Sequence, residues 1–121
     1  MEQKVKAIAH YNGHAIKTNK MVDLSFKFTA EEMERCIKLI PCINSNIEIF
    51  VKTPLTKTPI KLGMFMIKDF KINNNAEVTI KFFSQIDYVE MQNINLLVNE
   101  EMFNVLFKAN IETKGEENES N

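Results

Sequence analysis

Glycine, arginine and cysteine are all scarce in this chain of 121 residues, and the motifs that depend on them are missing. The three glycines are too scattered to form a glycine-rich phosphate loop: Gly13, Gly63 and Gly115. Arg35 is the only arginine. Binding modes that need the planar guanidinium fork, such as bidentate contacts to phosphate or guanine, therefore have little support.

The cysteines and histidines do not form a recognisable catalytic or metal-binding set. Cys36 and Cys42 lack the two-residue gap of redox and zinc motifs, and Cys36 falls on the apolar side of a predicted helix. His10 and His14 flank a predicted hairpin turn, which would point the two imidazoles to opposite faces of the sheet. We therefore expect no enzymatic activity, no metal and no cofactor.

Long apolar stretches are absent as well. No run approaches the roughly 18 residues of a membrane-spanning helix, and the first ten residues have no apolar region of a signal peptide. We therefore expect a cytoplasmic protein without a membrane contact. Apolar residues make up 45% of the chain and charged residues 26%, which is typical of a folded globular protein.

The length fits one domain, and the hydrophobic pattern stops at residue 111. We predict a single domain over residues 1–111 and a disordered acidic tail over residues 112–121. The tail carries four glutamates and one lysine, a net charge of −3: Glu112, Glu116, Glu117, Glu119 and Lys114. The preceding residues hold 14 basic and 12 acidic side chains, so the body is mildly basic.

Alternation of apolar and polar residues predicts that most of the chain is β-strand. The clearest strand is 22–28, and the clearest hairpin joins strands 61–72 and 76–83 across three asparagines. Further strands are predicted at 4–11, 14–18, 47–52 and 103–111. An Asn12-Gly13 turn would join the first two. Residues 85–98 fit a strand extension, a short helix, or both.

One helix is predicted over residues 30–40. Thr29 and Glu32 have the spacing of a capping box, and Pro41 would end the helix. Its apolar stripe consists of Met33, Cys36, Ile37 and Ile40. The predicted fold class is therefore α+β: a mainly antiparallel sheet of six to seven strands, either curved or closed into a small barrel, with one helix.

Basic and aromatic residues recur along the long hairpin. Lys61, Phe65 and Lys71 share one face of its first strand, and Lys81 and Phe83 share a face of its second. Lysines neutralise a phosphate backbone while aromatic rings stack on bases. We therefore predict a non-enzymatic protein that binds single-stranded nucleic acid. The small size and the Lys, Asn and Ile bias are typical of an accessory protein of a phage or other mobile element.

A protein partner is the alternative. The loop TPLTKTPI, residues 53–60, is predicted to be extended and exposed. Thr53, Leu55 and Lys57 would then join Phe50 in contacting a host protein, for example as an adaptor or an inhibitor of a defence nuclease. An open sheet edge would also allow a homodimer. The sequence does not decide between single-stranded nucleic acid and a host protein.

Overall fold

The described part of the chain folds into a closed barrel of six strands. The computed structural model describes residues 2–17, 21–54, 56–85, 91–98 and 100–110. The strands are β1 (Glu2–Ile16), β2 (Met21–Phe28), β3 (Ile47–Lys52), β4 (Ile60–Ile72), β5 (Val78–Gln85) and β6 (Phe103–Asn110). They close in the order β1-β2-β5-β4-β3-β6, with every neighbouring pair antiparallel. The predicted α+β class is confirmed, and the barrel is the form that the sheet takes. The predicted tail lies outside the described residues.

Two long strands connect the two walls of the barrel. β1 has 15 residues and β4 has 13. Residues 2–9 of β1 pair with β6, and its later residues pair with β2. In the same way β4 pairs first with β3 and then with β5. We call the half formed by β6, β3 and the first halves of β1 and β4 the first wall. The second wall contains β2, β5 and the other halves.

The Asn12-Gly13 pair forms a β-bulge, so the predicted hairpin turn at this point is wrong. β1 continues through the pair, and its register against β2 shifts between Tyr11 and His14. Gly13 has a φ of 114°, a backbone conformation that glycine adopts without steric cost. The bulge bends the strand from the first wall into the second. The two strands predicted on either side of it are halves of one strand.

β4 carries two further bulges, at Leu62 and Lys68. Each bulge inserts one residue without a partner and therefore reverses which side chains face the interior. Phe65, between the bulges, is buried in the core, while Met64 and Met66 are half-buried on the outside. Phe65 was expected on one face with Lys61 and Lys71, and the bulges make this prediction wrong.

Phenylalanines dominate the interior. Five of them are fully buried: Phe26, Phe28, Phe65, Phe82 and Phe107. The rings of Phe82 and Phe107 stack with centroids 5.5 Å apart, and Phe26 meets Phe103 edge to face at 5.2 Å. Both are favourable geometries for aromatic pairs. The core is therefore shared by strands of both walls.

The predicted helical segment is present between β2 and β3, but it is shorter and tighter than expected. It consists of a 3₁₀ turn (Ala30–Glu32), α1 (Met33–Ile37) and a second 3₁₀ turn (Ile40–Cys42). Its buried residues Cys36, Leu39 and Cys42 recur every third position, the spacing of 3₁₀ winding. Ile37 and Ile40, predicted for the apolar stripe, are exposed instead.

The stretch that the sequence left undecided contains a second helical segment. It comprises α2 (Met91–Ile94) and a 3₁₀ turn (Asn95–Leu97), and residues 86–90 lie outside the described chain. Ile94 and Leu97 join the core. The Asn93 side-chain amide donates to the carbonyl oxygen of Lys61 at 3.0 Å, which fixes the segment beside the first half of β4.

The turn between β4 and β5 is held by Asn73. Its side-chain oxygen accepts hydrogen bonds from the backbone N–H groups of Asn75 (2.8 Å) and Glu77 (3.0 Å). Ala76 follows with a φ of 62°, a left-handed conformation that disfavours side chains with a Cβ. Hairpin loops of this kind usually place glycine at that position.

We therefore expect Ala76→Gly to stabilise the protein. Removing the left-handed strain stabilises the folded state by about 1–2 kcal/mol. Glycine loses more conformational entropy on folding than alanine does, which offsets about 0.5–1 kcal/mol of this stabilisation. The free energy of unfolding in urea should rise by roughly 0.5–1 kcal/mol. Ala15→Gly is the control, because Ala15 is an exposed strand residue without a positive φ, and this change should destabilise. An equal decrease in the free energy of unfolding of both variants would contradict the strain argument.

Candidate nucleic-acid interface

The outer surface of the first wall is a regular array of side chains from four strands. Cross-strand pairing places them in three rows: Lys4, Lys108, Glu48 and Met64; Lys6, Leu106, Phe50 and Lys61; Ile8, Asn104 and Lys52. We call this array the basic face. It contains five lysines and one glutamate, a net charge of +4, and Glu2 at its border pairs with Lys4 at 3.5 Å.

Phe50 lies at the centre of the basic face and is half-buried. The Lys108 ammonium is 5.0 Å from the centroid of its ring, a cation–π contact. Leu106 is its cross-strand neighbour on one side and Lys61 on the other. The Lys61 ammonium forms an ion pair of 3.0 Å with Glu48. The ring is thus held in a fixed position and surrounded by cations.

A groove of about 370 Å³ runs beside Phe50, between β1, β6 and β3. Its apolar lining includes Ile8, Phe50 and Leu106, and its cationic lining consists of Lys6, Lys52 and Arg35. The volume is at the small end of ligand-binding clefts. Such a groove suits a flat ring that carries an anionic group. A second depression of about 350 Å³ shares Ile8, Lys52 and Asn104 and continues toward Met102.

Glu32 fixes the edge of this groove. Its carboxylate accepts a hydrogen bond of 2.7 Å from the backbone N–H of Ile8, on the edge of β1 away from β6. The same oxygen lies 3.3 Å from the Arg35 guanidinium, which therefore stays beside the groove. The predicted capping box does not form, because the Thr29 side chain makes no cap hydrogen bond. Glu32 instead links the helical segment to β1.

The outer surface of the second wall carries five lysines (Lys17, Lys27, Lys68, Lys71 and Lys81) and two aspartates, a net charge of +3. Asp23 lies between Lys17 (3.5 Å) and Lys68 (2.9 Å), and Asp69 pairs with Lys71 at 3.4 Å. Because these carboxylates already neutralise part of the lysine charge, this surface attracts an anion less than the basic face does.

The five residues predicted to bind nucleic acid do not share one surface. Phe65 is only 1% exposed inside the barrel, so it cannot stack on a base. Lys61 belongs to the basic face, whereas Lys71, Lys81 and Phe83 lie outside on the second wall. The expectation of a common face is wrong because β4 passes from one wall to the other and its bulges reverse the alternation.

The residues predicted for protein contact are also separated. Thr53 is buried, and its N–H donates to the Thr56 hydroxyl at 3.0 Å, so this part of the loop is a closed turn and not an extended segment. Lys57 is exposed, and Phe50 belongs to the basic face. Leu55 lies outside the described residues.

Sequence reasoning missed most of the basic face, including Lys4, Lys6, Lys52 and Lys108. Each of these lysines alternates with buried residues, so its outward direction could be read from the pattern. What the pattern does not contain is the pairing of β1 with β6, whose residues are about a hundred positions apart.

The two thiols are poor nucleophiles. Cys36 and Cys42 are both fully buried. Burial, with a smaller effect of the nearby Glu32 carboxylate, raises the pKa of Cys36 to about 12. Burial also raises the pKa of Cys42. Both side chains are therefore protonated thiols at neutral pH, and thiolate is the reactive form.

The two histidines have separate partners. His10 donates from Nδ1 to the carbonyl oxygen of Glu101 at 2.8 Å, while His14 Nδ1 hydrogen-bonds the Tyr11 hydroxyl across the bulge. Across the ranges that the structure describes, no three metal-ligating side chains gather into a cluster.

No protein-family model matches the chain, and no curated protein matches its sequence. None of the helices in the described ranges is both long and apolar enough to cross a membrane. Fold and surface therefore define the protein only as a six-stranded antiparallel barrel with a basic outer face.

We expect Glu32→Ala to destabilise the protein by about 1–3 kcal/mol, because the part-buried hydrogen bond from the Ile8 N–H to a charged acceptor is lost. Glu32→Gln keeps an acceptor oxygen and should lose less. Glu31→Ala is the matched control, since the neighbouring Glu31 is exposed, and its effect should stay within about 0.5 kcal/mol. Urea unfolding measures all three. Equal stabilities of Glu32→Ala and Glu31→Ala would contradict the assigned role.

Proposed function

We propose that this protein is a non-enzymatic binding protein that holds single-stranded nucleic acid on the basic face. The observation that supports the proposal best is the position of half-buried Phe50 among five lysines. Lysines neutralise phosphates, and an aromatic ring stacks on any base because every base has a flat π-face. The binding surface is therefore the first wall, and not the hairpin that the sequence indicated.

The proposed binding is independent of base sequence. Lysine presents a point charge and not a fork, and the only arginine is already engaged by Glu32. Neighbouring lysines of one strand, such as Lys4 and Lys6, are about 7 Å apart, and neighbouring strands are about 5 Å apart. The face can thus contact several phosphates at once. For about four contacts, the logarithm of affinity should fall against the logarithm of salt with a slope near −3.

The test is a fluorescence-anisotropy titration of labelled oligo-dT of about 12 nucleotides. Phe50→Leu keeps an apolar side chain and removes the aromatic face, so affinity should fall about fivefold or more, as expected for losing one stacked base. Lys6→Glu and Lys52→Glu should weaken binding further and flatten the salt dependence. Circular dichroism would verify that each variant remains folded.

Matched changes on the second wall serve as controls. Phe83→Leu and Lys81→Glu alter the same residue types away from the basic face, so affinity should stay near that of the wild type. Absence of binding below about 10 μM at low salt would refute the proposed function. Equal losses from variants of both walls would refute the assignment to the basic face.

A second candidate function is supported by exposed isoleucines. Ile37, Ile40 and Ile43 lie on the helical segment between β2 and β3 and are 41%, 45% and 37% exposed. Apolar side chains grouped on a surface are typical of protein contacts. The alternative proposal is therefore an adaptor or an inhibitor, for example of a host defence nuclease, that docks through this segment.

Under the alternative, a stoichiometric host protein should stay bound to the immobilised protein after nuclease treatment. The double variant Ile37→Ser, Ile40→Ser should lose this partner, whereas Lys6→Glu should retain it. Serine at these exposed positions removes the apolar contact and leaves the core unchanged. Loss of the partner through Lys6→Glu, or after nuclease treatment, would instead indicate retention through nucleic acid.

A further inference from the structure

We infer that the acidic residues 112–121 of the same chain occupy the basic face when no nucleic acid is bound. The face is then self-covered, and an incoming nucleic acid has to displace the acidic segment. The second part of this inference rests on the proposed function, whereas the docking itself does not.

Charge complementarity selects this occupant. Residues 112–121 hold four glutamates against one lysine, and the basic face holds five lysines against one glutamate. Arg35 adds a further cation beside the groove. The second wall has a slightly smaller net positive charge, since Asp23 and Asp69 offset two of its five lysines and would repel glutamates.

The end of β6 lies at the border of the same surface. β6 ends at Asn110, which pairs with Glu2 at the border of the basic face, one row beyond Lys108 and Lys4. From Asn110 back to Asn104 the strand covers about 20 Å. Residues 111–121 can span up to about 36 Å when extended, so they can double back over all three rows.

Because the acidic segment belongs to the same chain as the basic face, weak contacts are sufficient for docking. Exposed ion pairs are individually weak and are screened beyond about 10 Å at 0.1 M salt. A short tether nevertheless raises the effective concentration of the glutamates at the face to the millimolar range. The expected result is partial occupancy that salt removes, which is suitable for a reversible competitor of another polyanion.

The docking can be measured in the full chain with a spin label at residue 120. Ser120→Cys introduces the attachment site, and Cys36 and Cys42 are buried thiols that should not compete for the label. At low salt the label should broaden the NMR amide signals of the basic face, such as those of Lys6 and Lys52. The signals of Ser25 and Lys81 on the second wall should remain sharp.

Charge removal provides the decisive variant. Replacing all four glutamates of residues 112–121 by glutamine should abolish the broadening, and so should about 1 M salt. Asn118→Gln is the matched control, since it changes the segment without changing its charge, and the broadening should persist. Broadening of both walls to the same extent, or broadening that survives the glutamine substitutions, would overturn the inference.

Competition with nucleic acid is tested on the same proteins. If the acidic segment covers the face about two-thirds of the time, the glutamine variant should bind oligo-dT about threefold more tightly at low salt. Oligo-dT should also sharpen the broadened signals of the labelled protein.

The two possible failures are distinguishable. Broadening without oligo-dT binding keeps the docking and refutes the proposed function. Oligo-dT binding that is equally tight in both proteins, with no broadening, refutes the docking and leaves the proposed function standing.

Discussion

The barrel depends on the backbone hydrogen bonding of β1 and β4, because only these strands belong to both walls. Each strand exchanges one partner for another along its length, so half of each edge has no neighbouring strand among the described residues. Helical segments take over there: Glu32 accepts from the Ile8 N–H, and Asn93 donates to the Lys61 carbonyl. The helical segments are thus positioned by hydrogen bonds to backbone groups at the open strand edges as well as by packing against the core.

The same closure creates the basic face. β6 is the last strand described, yet it lies between β1 and β3 and joins residues from the two ends of the barrel sequence. Lys6 is thereby placed two strands away from Phe50, with Leu106 between them. The bulge at Leu62 matters equally, since it leaves Lys61 outside while Phe65 turns into the core.

The sequence predicts local features well and long-range ones poorly. β2, β3 and β6 were correctly located, because each keeps one alternation phase along its whole length. β1 and β4 were misread where a single inserted residue changes that phase, and an Asn-Gly pair suits a bulge as well as a turn. The basic face could not be assembled from the sequence, since its neighbours Lys6 and Leu106 are joined only by barrel closure.

Electrostatics adds a reason to expect an anionic partner on the first wall. Lys4 and Lys108 lie directly opposite each other on paired strands, an arrangement of like charges that destabilises a sheet. Glu2 forms an ion pair of 3.5 Å with Lys4, and the Lys108 ammonium lies over the Phe50 ring. Both compensations are local and leave the lysines available. A bound polyanion would neutralise the repulsion along the whole face, so binding and the stability of the barrel would increase together.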